Sequence, residues 1–126
     1  LLTWMNSNKA DYTNTFCFLM NEKFSNNEIY NDEKFIIWKK KWDNRLKFNN
    51  NSQEKYLRLM RSVNPLVIPR NHKIEEALAA ANDGNLEVMN KLLTILEKPY
   101  EKQNDISDFQ SPAPLYNKNY QTFCGT

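Results

Sequence analysis

Along most of the chain, apolar residues return every three or four positions, the spacing that lines one face of an α-helix. From about Asn8 to Met20 the stripe is Tyr12, Phe16, Leu19 and Met20, with Cys17 at its edge. A second helix is signalled by Asn31 and Asp32, residue types that cap an N-terminus and suit its dipole, followed by Phe35, Trp38, Trp42 and Leu46. Beyond Asn49-Asn50-Asn51, the start Asn51-Ser52-Gln53-Glu54 resembles a capping box, and Tyr56, Leu59, Met60 and Val63 carry a third stripe until Pro65 stops it.

The segment from Asn64 to Arg70 reads as an extended crossing. Residues before Pro65 and Pro69 are pushed out of the helical region, and Leu66, Val67 and Ile68 form an apolar run that such a connector would bury. Asn71 is placed to cap a fourth helix with inner face Ile74, Ala77, Leu78 and Ala81, ended by Asp83 and a left-handed Gly84. Asn85 then caps a fifth, whose stripe is Leu86, Met89, Leu92, Leu93 and Leu96 before Pro99. So short a turn makes helices four and five an antiparallel hairpin. The expected fold is all-α: about five helices in an irregular bundle over residues 1–99, with an irregular tail over 100–126. The tail holds Pro112, Pro114, Phe109, Tyr116, Tyr120 and Phe123. Its aromatics suit a strap laid across the helices, or across something further, better than a disordered end.

Composition removes many kinds of chemistry. The 126 residues hold only two glycines, Gly84 and Gly125, and a phosphate-cradling loop needs several close together. The single histidine, His72, excludes a two-histidine metal site and a Ser-His-Asp triad. No metal site and no catalytic group is expected. His72 is read as bracing its turn by hydrogen bonds rather than as a general base, since no second titratable group stands at catalytic spacing. Adjacent Glu75 and Glu76 point in different directions on a helix, and Asp83-Gly84-Asn85 lacks the distal glutamate of a calcium loop. Two cysteines, Cys17 and Cys124, are too few to staple a secreted fold, so a reducing compartment is expected. No apolar run reaches the roughly 18 residues of a membrane span. A chain opening on Leu1 reads as a piece of a longer protein.

Seventeen basic against fifteen acidic residues give a net charge of +2. Lys39-Lys40-Lys41, flanked by Trp38 and Trp42, has the composition of a nucleic-acid patch. Successive helical residues turn by about 100°, so the lysines fan out and a solvated face is the better reading. A stand-alone helical adaptor, binding protein or nucleic acid through Lys39 to Arg45, is the alternative kept open. Cys17, among Phe16, Phe18 and Leu19, reads as a small buried hydrophobe, and Cys124, near the chain end, as an exposed thiol.

One stretch carries a family resemblance. Asn64-Pro65-Leu66-Val67-Ile68-Pro69-Arg70-Asn71-His72, then Glu75-Glu76-Ala77-Leu78-Ala79-Ala80-Ala81 and Gly84, resembles the C-terminal region of the selenoprotein O family. So do Ala10 to Phe16, Leu92-Leu93 through Pro99-Tyr100, and the closing Thr122-Phe123-Cys124-Gly125-Thr126. The resemblance implies a parent with a kinase-like portion that moves AMP from ATP, with magnesium or manganese, to Ser, Thr or Tyr hydroxyls of protein substrates. The residues for that chemistry would lie in the kinase-like portion, which this chain would pack against. ATP and metal are expected of the parent only. The resemblance also gives Cys124 a redox role, since a cysteine at this position in the family is thought to pair with one near the activation loop. It further implies a cytoplasmic location in a bacterium, or a mitochondrial one in a eukaryote, with no membrane partner.

Overall fold

The computed structural model describes residues 1–22, 28–48 and 52–113, and the described residues are helical with no strand. The helices are α1 (Leu2–Asn8), α2 (Tyr12–Leu19), α3 (Glu33–Phe48), α4 (Gln53–Val63), α5 (Asn71–Asn82), α6 (Glu87–Leu96) and α7 (Ser107–Gln110), with a 3-10 turn at Glu28–Asn31. The chain divides into two compact units, 1–66 and 67–126. The division falls inside the Pro65–Pro69 segment.

In the first unit, the helix expected from Asn8 starts instead at Tyr12. Lys9 adopts a left-handed conformation with φ 51° and closes α1, and the Asp11 carboxylate accepts from the Asn14 amide at 2.8 Å. A side-chain oxygen placed there satisfies an amide that the first helical turn leaves without a partner. Asp32 does the same for α3, accepting from the Phe35 amide at 3.1 Å, while the Trp4 indole N–H donates to the same oxygen at 2.6 Å. Ser52 caps α4 by accepting from Lys55 at 3.3 Å. The core joins Trp4, Met5, Leu19, Tyr30 and Phe35. Its rings pack densely: Phe18 stacks on Tyr30 at 4.0 Å, and Trp4 meets Phe35 at 4.6 Å. Such pairs contribute about 0.5–1.5 kcal/mol each beyond their buried area. Trp38, Trp42 and Met60 pack on its edge. Tyr12, Leu59 and Val63, expected inside, are exposed, and α4 buries no residue fully.

In the second unit, α5 and α6 form the expected hairpin. Gly84, at φ +84°, ends α5: its amide reaches the Ala81 carbonyl at 3.0 Å and the Asn85 amide reaches Ala80 at 2.8 Å. That pair of bonds is the Schellman arrangement, which needs a residue comfortable at positive φ. Asn85 accepts from the Glu87 amide at 2.9 Å and so helps start α6. Asn71 is not the cap of α5. It is the first helical residue, and Arg70 stands at the cap position with no side-chain bond to the helix. The buried set is Val67, Ala77, Leu92, Ile95, Ile106 and Phe109. Leu78 and Leu93, expected in the core, are 50% and 54% exposed. The described part of the tail folds back, with Gln103 donating to the Ile95 and Lys98 carbonyls at 3.0 and 2.8 Å, so the first stretch of the strap lies on its own hairpin.

Candidate functional site

The motif from Asn64 to His72 sits at a joint. Asn64 ends α4 twice over, its backbone and side-chain amides both donating to the Met60 carbonyl, at 2.9 and 2.8 Å. The Pro65 carbonyl, left without a helical partner, accepts from the Cys17 thiol at 3.3 Å. Leu66 and Val67 are buried, and Pro69 leads to Arg70, whose carbonyl accepts from Lys73 at 2.9 Å and Ile74 at 3.0 Å to open α5. Two prolines, an asparagine and an apolar run thus stop one helix and start the next. Cys17 is fully buried, as a packing residue should be.

His72 lies in the first turn of α5, half-buried. Burial pushes its pKa down, and the neighbouring charges of Lys73 and Arg70 push the same way, against weaker pulls from Glu76 and Asp108. Both influences favour the uncharged imidazole. The described hydrogen bonds that open α5 are accepted by the Arg70 carbonyl, not by the His72 side chain. The neighbouring Lys73 is what ties this region together. Its ammonium donates to Asp108 at 2.6 Å and Glu76 at 2.9 Å and lies 5.8 Å from the Phe109 ring centroid. Burial draws its pKa down, but the two carboxylates outweigh it and the net direction is up. Sequence reasoning missed Lys73, because its partner Asp108 is supplied by α7 from the tail.

The lysine run on α3 disperses as helix geometry requires. Lys39 pairs with Asp43 at 2.6 Å and lies 4.9 Å from the Trp42 ring centroid, while Lys40 and Lys41 are exposed. Lys39, Lys40 and Lys47 instead line a groove of about 710 Å³ with Phe18, Tyr30, Phe35 and Ile36. Cys124 lies outside the described residues. No group of three or more His, Cys, Asp or Glu stands together as a metal cluster among the described residues. No helix among them is long and apolar enough to cross a membrane.

The family model for protein adenylyltransferase SelO matches residues 1–97. The chain belongs to the SelO family. It is 54% identical over 126 residues to the protein nucleotidyltransferase YdiU of Pelagibacter ubique. Identity is 43% over 126 residues to the YdiU of Clostridium beijerinckii, and 42% over 127 residues to that of Syntrophotalea carbinolica. In all three the match takes in 100% of this chain but 26% of the relative's length. The segment Asn64–His72 lies within the part that the SelO model matches. Its joint geometry shows what those residues do physically in this member: they set where α4 ends and α5 begins.

Proposed function

We propose that this chain is the helical, C-terminal part of a SelO-type protein adenylyltransferase, packed on a kinase-like portion that carries the catalytic site. The SelO match over 1–97 carries the family part of this reading, and the 26% share makes the chain one part of a longer protein; the C-terminal position rests on the resemblance of its motifs. The chain's own residues agree with it. Two glycines cannot build a loop that covers a triphosphate, and the half-exposed Leu78, Leu86 and Leu93 suit helices that rest on further polypeptide.

In the parent, a Ser, Thr or Tyr hydroxyl oxygen of a protein substrate attacks the α-phosphorus of ATP. A new P–O bond forms, the bond to the β-phosphate breaks, pyrophosphate leaves and the hydroxyl proton is released. Magnesium or manganese would neutralise the phosphates there. Cys124 acts as a redox-responsive tether to that portion, a role that requires an accessible thiol able to reach its partner. In a bacterium the enzyme works in the cytoplasm.

Incubating the intact protein with ATP labelled at the α- or the γ-phosphate tests the transfer. Label on protein from the α position alone is the expected result, and label from the γ position would make the enzyme a kinase. Sequencing the coding region on both sides of residues 1–126 tests the placement, since a kinase-like portion that follows this segment rather than preceding it would overturn a C-terminal position. Cys124→Ser should abolish the dependence of activity on thiol reductants, and a redox response left unchanged would remove the tether.

The adaptor alternative keeps one favourable observation: Lys40, Lys41 and Arg45 are exposed on α3. It requires binding that weakens steeply with salt.

A further inference from the structure

The groove along α3 has a charge pattern that the adenylyl-transfer reading does not use. It is lined by Ile36, Lys39, Lys40, Asp43, Asn44 and Lys47 from that helix, with Phe18, Asn21, Glu22, Tyr30 and Phe35 completing it. A second hollow of about 310 Å³ shares Asn21, Lys39, Asp43 and Lys47 and continues to Gln53 and Tyr56. The concavity is therefore elongated, which suits a stretch of chain better than a compact metabolite.

Its charges sort into spent and available. Asp43 is held by Lys39 at 2.6 Å, and Glu22 by Arg61 at 3.4 Å. Lys40 and Lys47 are exposed and make no ion pair among the described residues. The floor adds an apolar contact, because Ile36 is 53% exposed. Bases of single-stranded nucleic acid would need open ring faces to stack on. Tyr30 and Phe35 offer almost none: they are 6% and 2% exposed, and their rings are engaged by Phe18 and by Trp4. Phe18 and Tyr56 are only partly exposed and are packed against Tyr30 and Trp42, which leaves Ile36 as the exposed apolar seat, followed along the helix by two ammonium groups.

We infer that this groove docks an extended acidic peptide segment in which an apolar side chain is followed by carboxylates on the same face. The spacing supports it. Ile36 and Lys40 are about 6 Å apart along the helix axis, and Lys40 and Lys47 about 10 Å. Same-face residues of a strand repeat every ~6.6 Å, so an apolar residue on Ile36 brings carboxylates at alternate later positions to both lysines, whose flexible stems absorb the difference. Electrostatic attraction would hasten encounter, and the Ile36 seat would set the register. This does not depend on nucleotide chemistry, and a docking site would stand even if the α-phosphate label test failed.

The test is fluorescence anisotropy of a labelled heptapeptide, leucine first, glutamate at the third, fifth and seventh positions and serine elsewhere, titrated with the intact protein at low salt. Binding should be lost with glutamine in place of glutamate. It should weaken by about tenfold or more in a Lys40→Glu, Lys47→Glu double variant and stay within about twofold in Lys41→Glu, which leaves the groove lining unchanged. Ile36→Ser should weaken it further while leaving its salt dependence unchanged. All four side chains are exposed, so circular dichroism should show unaltered helix content in each variant. Absence of binding, an equal loss from Lys41→Glu, or displacement of the peptide by a tighter-binding oligothymidylate would each overturn the proposal.

Discussion

The two units bury their apolar residues in different ways. The first gathers its rings into one cluster: Trp4, Tyr30 and Phe35 are all under one-tenth exposed, touch one another, and have the indole N–H of Trp4 satisfied by Asp32, while the apolar side chains farther along α3 and on α4, such as Phe48, Leu59 and Val63, stay exposed. The second has a thinner interior, Val67, Ala77, Leu92, Ile95, Ile106 and Phe109, and leaves Leu78, Leu86 and Leu93 half in solvent. An aromatic cluster can form a core from few residues because each ring covers a large area. A leucine hairpin of two short helices cannot cover both of its apolar faces. One face goes inward, and the other stays half in solvent in this chain, which spans 26% of its relatives' length.

The comparison is broken most severely at Phe35. Replacing this 2% exposed ring with alanine should cost about 3–5 kcal/mol, read as a fall in the urea midpoint, because it empties the centre of the aromatic cluster. A loss below about 1 kcal/mol would mean the first unit is not organised around its rings.

Leu92 and Leu78 sharpen the contrast within the hairpin. Leu92→Ala removes a buried side chain and should cost about 2–5 kcal/mol, whereas Leu78→Ala in this chain should stay within about 0.5 kcal/mol. In the intact protein the Leu78 variant should become distinctly more costly, because the exposed face is then covered. Equal, small effects in both settings would show that nothing rests on it.

The smallest expected effect is at acid pH. The Trp4 indole and then the Phe35 amide hold the Asp32 carboxyl below its ordinary value of 3.8. A folded-state pKa below the unfolded one means that the carboxylate's contribution is present above about pH 4 and lost as pH falls through the lower, folded value. Melting temperatures followed from pH 5 downward should therefore drop less in Asp32→Asn than in the unaltered protein. Parallel curves would show that the Trp4–Asp32 bond adds no pH dependence.

Much of this was legible in residues that start or stop helices. Asp32, Ser52, Pro65 and Gly84 act where their chemistry demands, and each works within a few positions of itself. The helical hairpin followed from Gly84 and Asn85 for the same reason. What could not be read was which side of a stripe faces inward. Leu86, Met89, Leu92, Leu93 and Leu96 repeat as regularly as a core face, and Leu92 is buried as expected, yet Ile95 is buried too and Leu93 is not, with the tail residues Ile106 and Phe109 also in the second unit's interior. The break at Lys9 was hidden because a left-handed lysine carries no sequence signal comparable to glycine's. Long-range pairs such as Trp4 with Asp32 and Lys73 with Asp108 depend on packing that no local pattern encodes. The α3 groove likewise appears only once Phe18, Tyr30 and the helix stand side by side. Cys124, conspicuous in the sequence, falls outside the described residues.

The claim on which the functional reading rests is that nucleotide is handled by polypeptide beyond these helices. Photo-crosslinking an azido-ATP to the intact protein with magnesium, then mapping the labelled peptides by mass spectrometry, tests it most directly. Label confined to peptides outside this 126-residue stretch is the predicted result. ATP-protectable label recovered on peptides from within it would contradict the account.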